Sequence, residues 1–144
     1  MGNERAIRML PTLQEKFDAC YVSTNNQMGF MLTKVDPLIQ GFVDYAAKDS
    51  SNWHLDVGAA FGIATIAALQ RGAKMVANDL DESHLKIIGQ ACRGQFEGRV
   101  QFCLGDIKNE VEYTSASFGS VLFSRVLHFF SGEGIIGVLR KVSE

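Results

Sequence analysis

The chain has 144 residues, enough for one ordinary domain, and its 47% hydrophobic content supports a packed core rather than a disordered polymer. A formal net charge of −2, with basic and acidic residues interspersed, supplies no electrostatic footprint for a phosphate backbone or an anionic membrane. The longest uncharged apolar stretch, 57–69, falls short of the roughly 20 residues that span a bilayer, and the N-terminus lacks an apolar signal core, so a cytoplasmic chain is expected. Cys20, Cys92 and Cys103 are odd in number and widely spaced, which favours buried free thiols over a metal site or a disulfide frame.

Residues 3–17 have a helical pattern interrupted near Pro11, and the polar run Ser23-Thr24-Asn25-Asn26-Gln27 then breaks the pattern before Phe30-Met31-Leu32. Residues 1–35 are therefore set apart as an N-terminal helical or lid segment, and 36–144 as one domain. At Asp36-Pro37 the signals sharpen: Asp accepts from the orphan amides of a helix start, and Pro at the first helical position forfeits no hydrogen bond. Leu38, Ile39, Phe42, Val43 and Ala46 follow at helical spacing, so a helix is expected over 36–48.

Strands and helices then alternate: strand 53–57, helix 62–71, strand 74–79, helix 82–95, strand 99–104, an irregular stretch through 117, strand 120–124 and helix 133–142. Alternation at these lengths implies parallel strands joined by right-handed crossovers, an α/β fold in three layers.

Between the first strand of this series and its helix lies Asp56-Val57-Gly58-Ala59-Ala60-Phe61-Gly62. Glycines in such a turn let a ligand approach the backbone closely. The dinucleotide fingerprint G-x-G-x-x-G needs glycine at 58, 60 and 63 and finds Ala60 and Ile63 in two of those places, which makes a nicotinamide-dependent oxidoreductase the weaker reading. An acid followed by x-G-x-G-x-G fits better, with Asp56, Gly58 and Gly62 in place and Ala60 replacing only the middle glycine. On these residues the chain resembles the class I S-adenosylmethionine (SAM) dependent methyltransferases, whose Rossmann-like sheet has seven strands ordered 3-2-1-4-5-7-6. The four strands here would be 3-2-1-4 of that order. The leading acid suits a ligand carrying an ammonium group and would repel a pyrophosphate.

The next strand ends in Met75-Val76-Ala77-Asn78-Asp79, an acid about 20 residues beyond the first glycine, the separation at which a second strand end meets a ribose. The resemblance gives Asp79 both ribose hydroxyls and sets Leu80 in the adenine pocket; Asp81, before Glu82-Ser83-His84-Leu85, is expected to cap a helix. Leu104-Gly105-Asp106-Ile107 is the third match: the resemblance gives Asp106 the adenine amino group and Ile107 the ring. Ligands of open α/β sheets bind at the edge where these strand ends meet.

The fourth strand runs through Phe123-Ser124 into Arg125-Val126-Leu127-His128-Phe129. In the resembled family this strand end, Ser124 here, passes under the methionine part of SAM and faces the methyl acceptor. The Asn-Pro-Pro-Tyr signature that the family shows for methylation on base amines or glutamine is missing, which disfavours those substrates; a small molecule or a protein side chain is the expected acceptor. Arg125 suits an acidic acceptor or the cofactor carboxylate, or is simply solvated. His128, inside an apolar run, reads as a hydrogen-bonded structural residue rather than a base. Lys16-Phe17-Asp18-Ala19-Cys20-Tyr21 resembles the stretch of many small-molecule methyltransferases whose aromatic closes over the cofactor, which makes Tyr21 a lid residue; otherwise it is an aromatic packed on the sheet. No catalytic base is assigned, because transfer from a sulfonium to a nucleophilic acceptor rests mainly on alignment.

The helical pattern at 137–144 ends without a Gly cap, and the strand at 120–124 would leave an apolar edge exposed. Together these favour the front part of a longer enzyme over a complete chain that covers its edge as a homo-oligomer. A SAM-binding module without catalysis is the main alternative function.

Overall fold

The computed structural model describes residues 21–28, 30–111 and 118–143; the helical pattern at 3–17 and Cys20 lie outside them. The described chain opens with a two-stranded antiparallel hairpin, β1 (Tyr21–Ser23) against β2 (Phe30–Leu32). Its turn is held by local bonds: the Asn26 side-chain oxygen accepts from the Thr24 hydroxyl at 2.8 Å and from the Met28 N–H at 3.1 Å. Three-residue strands are too short to register as a period-two pattern, so this hairpin is invisible in the alternation of the sequence.

Helix α1 (Pro37–Lys48) starts where the sequence places it, with Asp36 Oδ1 accepting from the Ile39 N–H at 2.8 Å. Its buried face is Ile39, Phe42, Val43 and Ala46. The main sheet consists of β3 (Trp53–Val57), β4 (Lys74–Asp79), β5 (Val100–Leu104) and β6 (Ser120–Phe123), all parallel, in the spatial order β5-β4-β3-β6. The crossovers carry α2 (Ile63–Gln70) and α3 (Glu82–Ala91), and α4 (Gly132–Ser143) follows the last strand after a short 3-10 turn at Leu127–Phe129.

Alternation along the strands sorts the core into two layers. Met75 and Ala77 of β4 face α1, α2 and α3, joining Phe42, Leu69 and Ile88 in one cluster. Val76 points the other way and packs with Leu55, Val57 and Val138 of α4. The central strands β3 and β4 are buried almost throughout while β5, at the edge, is half exposed, as expected for a parallel sheet covered on both faces. His54 on β3 is fully buried and satisfied at both nitrogens: its Nε2–H donates to the Asp49 carbonyl at 2.9 Å, and Nδ1 accepts from the Ser120 hydroxyl at 2.8 Å.

Helix α3 stops at Ala91 instead of running to 95, because Gly94, Phe96 and Gly98 all take positive φ (+72°, +58° and +72°) and wind the chain through turns. Cys92 is buried and Cys103 half-buried, both free. Asp81 caps α3 by accepting from the Ser83 N–H at 2.8 Å.

Gly62, the N-cap of α2, sits at φ +82°, and a Cβ there would lie 2.7 Å from Ile88 Cγ1. Gly62→Ala combines the left-handed penalty with overpacking and is expected to cost about 2–4 kcal/mol. Urea unfolding measures it; an unchanged midpoint would contradict this packing of α2 on α3.

Candidate functional site

The carboxyl ends of the four parallel strands open onto one cavity of about 250 Å³. Asp56 near the end of β3 lines it with Gly58 and Ala60 after that strand, Asp79 at the end of β4 with Leu80 after it, Asp106 and Ile107 after β5, and Ser124 and Arg125 after β6. Gly62 sits behind it against Ile88.

The loop after β3 is shaped by two close approaches. Gly58 takes φ +67°, and a Cβ on it would fall 2.6 Å from Val126 Cγ2, so the glycine lets the segment after β6 close over the loop. Ala60 occupies the left-handed region at φ +48° despite its methyl group, a strain of about 1–2 kcal/mol. Its N–H donates to Asp79 Oδ2 at 2.8 Å, fixing the first loop to the second strand end.

Asp56 is 3% exposed, and its Oδ2 accepts from the Thr65 hydroxyl at 2.8 Å. Because Gly62 has no side chain to cap α2, this carboxylate reaches across the loop to serve the helix's first turn, while still lining the cavity. Burial pushes its carboxyl up to about 6 against the pull of the Thr65 bonds, and the charge of Asp79 pushes the same way.

Asp79 is 5% exposed and held by three donors. Besides Ala60 on Oδ2, its Oδ1 accepts from the Asp81 N–H at 2.9 Å and from His84 Nδ1–H at 3.0 Å. Beside it, the Asn78 side-chain amide donates to the Cys103 and Gly105 carbonyls, both at 3.0 Å, and so sets the height of the loop that carries Asp106. Asp106 is built into its own turn: Oδ1 accepts from the Lys108 N–H at 2.8 Å and Oδ2 from the Asn109 amide at 3.1 Å. The Asp106 N–H in turn donates to Glu110 Oε2 at 2.8 Å.

The hairpin β1–β2 roofs the cavity, with Asn26, Met28, Phe30 and Met31 among its lining residues. It is moored to the glycine loop, where the Phe61 N–H donates to Met31 Sδ at 3.4 Å, and to α3, where the Asn25 N–H donates to His84 Nε2 at 3.0 Å. Tyr21 stands to one side, its ring 5.8 Å from the Arg125 guanidinium. Arg125 also pairs with Asp36 at 3.0 Å, so its charge ties β6 to the start of α1 and to the hairpin. Burial works against the charge on Asp36, but the Ile39 N–H and Arg125 outweigh it and hold that carboxyl below the usual range. His128 is exposed at the cavity wall, its ring 4.0 Å from that of Phe129, and is not the buried residue its apolar neighbours suggest.

His84, Asn78, Thr65 and the hairpin residues other than Tyr21 were not singled out from the sequence. A signal existed for His84: it occupies an inward position of an amphipathic helix, five residues after a strand-end acid, where an apolar residue is the norm.

Residues 55–144 match the family described as the methyltransferase domain, which covers well over half of the chain. The chain belongs to that family. The fold of this methyltransferase domain is similar to that of the MccD protein, at 13% identity and TM-score 0.61 over 73% of this chain and 47% of the other. It is also similar to the glycopeptide N-methyltransferase MtfA crystallised with sinefungin, at 19% identity and TM-score 0.60 over 72% of this chain and 42% of the other. A third is magnesium protoporphyrin IX methyltransferase from Synechocystis PCC 6803 with bound SAM, at 16% identity and TM-score 0.58 over 73% and 51%. The chain thus spans about half the length of these proteins. No curated protein matches it.

The raised Asp56 carboxyl gives the methyltransferase domain a specific pH dependence. Between the ordinary value of 3.8 and about 6, the folded chain holds a proton there that the unfolded chain has released. Stability therefore falls as pH rises through that window and levels off above it, by roughly 3 kcal/mol at most for a two-unit shift. Asp56→Asn, which keeps an oxygen for Thr65 and does not titrate, is expected to stabilise the chain by about 1–3 kcal/mol near neutral pH, with the gain shrinking toward pH 4. Urea unfolding across that range measures it, and a difference independent of pH would contradict the assignment.

Proposed function

We propose that this methyltransferase domain binds SAM in the strand-end cavity and that the protein transfers its methyl group to a small molecule or a protein side chain. The observation that carries the reading is a charge imbalance. Asp56 and Asp79 both line the cavity and are nearly fully buried, and among the described residues neither forms an ion pair with a lysine or arginine. Buried carboxylates without a cation are costly, and a ligand bearing positive charge relieves that cost on binding. SAM carries two positive centres, a sulfonium and an ammonium, whereas the pyrophosphate of a nicotinamide dinucleotide would add repulsion.

The residues fit the group. Asp79, held rigid by three donors, would accept the ribose hydroxyls, and Asp56 with the backbone of 58–60 would face the methionine ammonium. Leu80 and Ile107 would flank the adenine, with Asp106 fixed by its own turn to meet the exocyclic amine, and Ser124 would lie under the methionine chain. When bound, SAM supplies an electrophilic methyl carbon whose leaving group is a neutral thioether. The domain's own part is to hold that carbon in line with the acceptor and keep water away, which the hairpin roof serves. Tyr21 and Arg125, packed together beside the roof, would border the acceptor side.

Calorimetric titration with SAM, S-adenosylhomocysteine and NAD tests the cofactor. The first two are expected to bind and NAD not, and Asp79→Ala to weaken SAM by about tenfold or more, the size of a lost hydrogen bond to a charged group. Binding of NAD with no response to SAM would overturn the reading. Transfer of a labelled methyl group to trial acceptors then separates an enzyme from a module that only binds.

A further inference from the structure

His84 is 1% exposed, enclosed by α3 and by the edge of the Phe61 ring, whose centroid is 5.3 Å away. The Asn25 backbone N–H lies 3.0 Å from its Nε2. A backbone amide can only donate, so Nε2 is the acceptor, the ring hydrogen sits on Nδ1, and Nδ1–H donates to Asp79 Oδ1 at 3.0 Å. One nitrogen of the ring therefore serves the hairpin turn and the other the strand-end carboxylate. A second tie runs parallel to it, from the Asn25 side-chain amide to the Ser83 hydroxyl at 3.0 Å. An apolar residue would fill this inward helix position at lower cost.

We propose that His84 is a positioning residue that couples seating of the 21–32 hairpin over the cavity to the orientation of the Asp79 carboxylate, so that cofactor binding and hairpin closure reinforce each other. The inference rests on the reading of Asp79 as the ribose-binding acid. Ala60 and Asp81 fix Asp79 from the loop and the backbone, and His84 is the donor whose own ring is bonded to the hairpin. Linkage makes the effect reciprocal: a ligand that orders Asp79 favours the hydrogen-bonded ring, and that ring favours the seated hairpin.

The test uses the 144-residue chain, S-adenosylhomocysteine as probe, and hydrogen exchange at the Asn25 amide as the report on the hairpin. In the wild type the probe is expected to slow that exchange about fivefold or more. His84→Leu is expected to weaken the probe about tenfold and to abolish the ligand-dependent slowing. His84→Asn can offer an N–H near the Nδ1 position and is expected to recover affinity to within about threefold without recovering the slowing. His84→Gln can offer an oxygen near the Nε2 position and is expected to keep the Asn25 amide protected in the free chain while affinity stays weak. A merely structural role would move affinity and exchange together in all three variants, in step with thermal stability. That result, wild-type affinity in His84→Leu, or an Asn25 amide indifferent to the probe in the wild type, overturns the proposal. If His84→Leu does not fold, the Asn and Gln pair decides, and identical behaviour of the two overturns it. Asp79→Ala separates the two readings: if it binds the probe normally, the cofactor assignment falls; if only His84→Leu binds normally, the coupling alone falls.

Discussion

Ending a central strand in a buried carboxylate costs several kcal/mol unless donors meet it, and the chain around Asp79 is arranged to supply them. The glycine loop contributes the Ala60 N–H, the turn after β4 the Asp81 N–H, and α3 the His84 ring. Each donor comes from a different segment, so satisfying this one group fixes the loop after β3, the entry of α3 and, through Asn25, the hairpin above them. None of the donors is a cation, and the charge of Asp79 is left to be met from the cavity.

The same economy explains the glycine loop. Gly58 gives way to Val126 and Gly62 to Ile88, so both are required by packing within the chain before any ligand enters. Ala60 shows that the middle position tolerates a methyl group in the left-handed region, because what matters there is the direction of its N–H toward Asp79. Asp56, which opens the motif, is shared between the cavity and the uncapped start of α2. A motif met as a ligand signature is therefore also a set of folding contacts, which is why it stays legible at one imperfect position.

Much of the fold is written in periodicity and caps. Asp36-Pro37 marks the start of α1, the apolar runs at 53–57 and 74–79 mark the two most buried strands, and Asp81 is recognisable as a cap. What escapes is what periodicity cannot encode. The hairpin strands are three residues each, the end of α3 is set by left-handed residues at 94–98, and the link from Asn25 to His84 spans 59 residues of sequence. The acids Asp56, Asp79 and Asp106 can be picked out because each ends an apolar run. Their partners Thr65 and His84 cannot, and the bond from the Ala60 N–H to Asp79 cannot be foreseen, since these groups become neighbours only when the crossovers place them.

The central claim is that the uncompensated acids at the strand ends form a site for a cationic adenosyl ligand. A crystal structure of the chain with SAM tests it most directly. The account requires the ribose hydroxyls on the Asp79 carboxylate, the adenine between Leu80 and Ile107 with its amino group toward Asp106, and the methionine ammonium over the loop at 56–60. A ligand bound elsewhere, or one whose ribose faces away from Asp79, would contradict it.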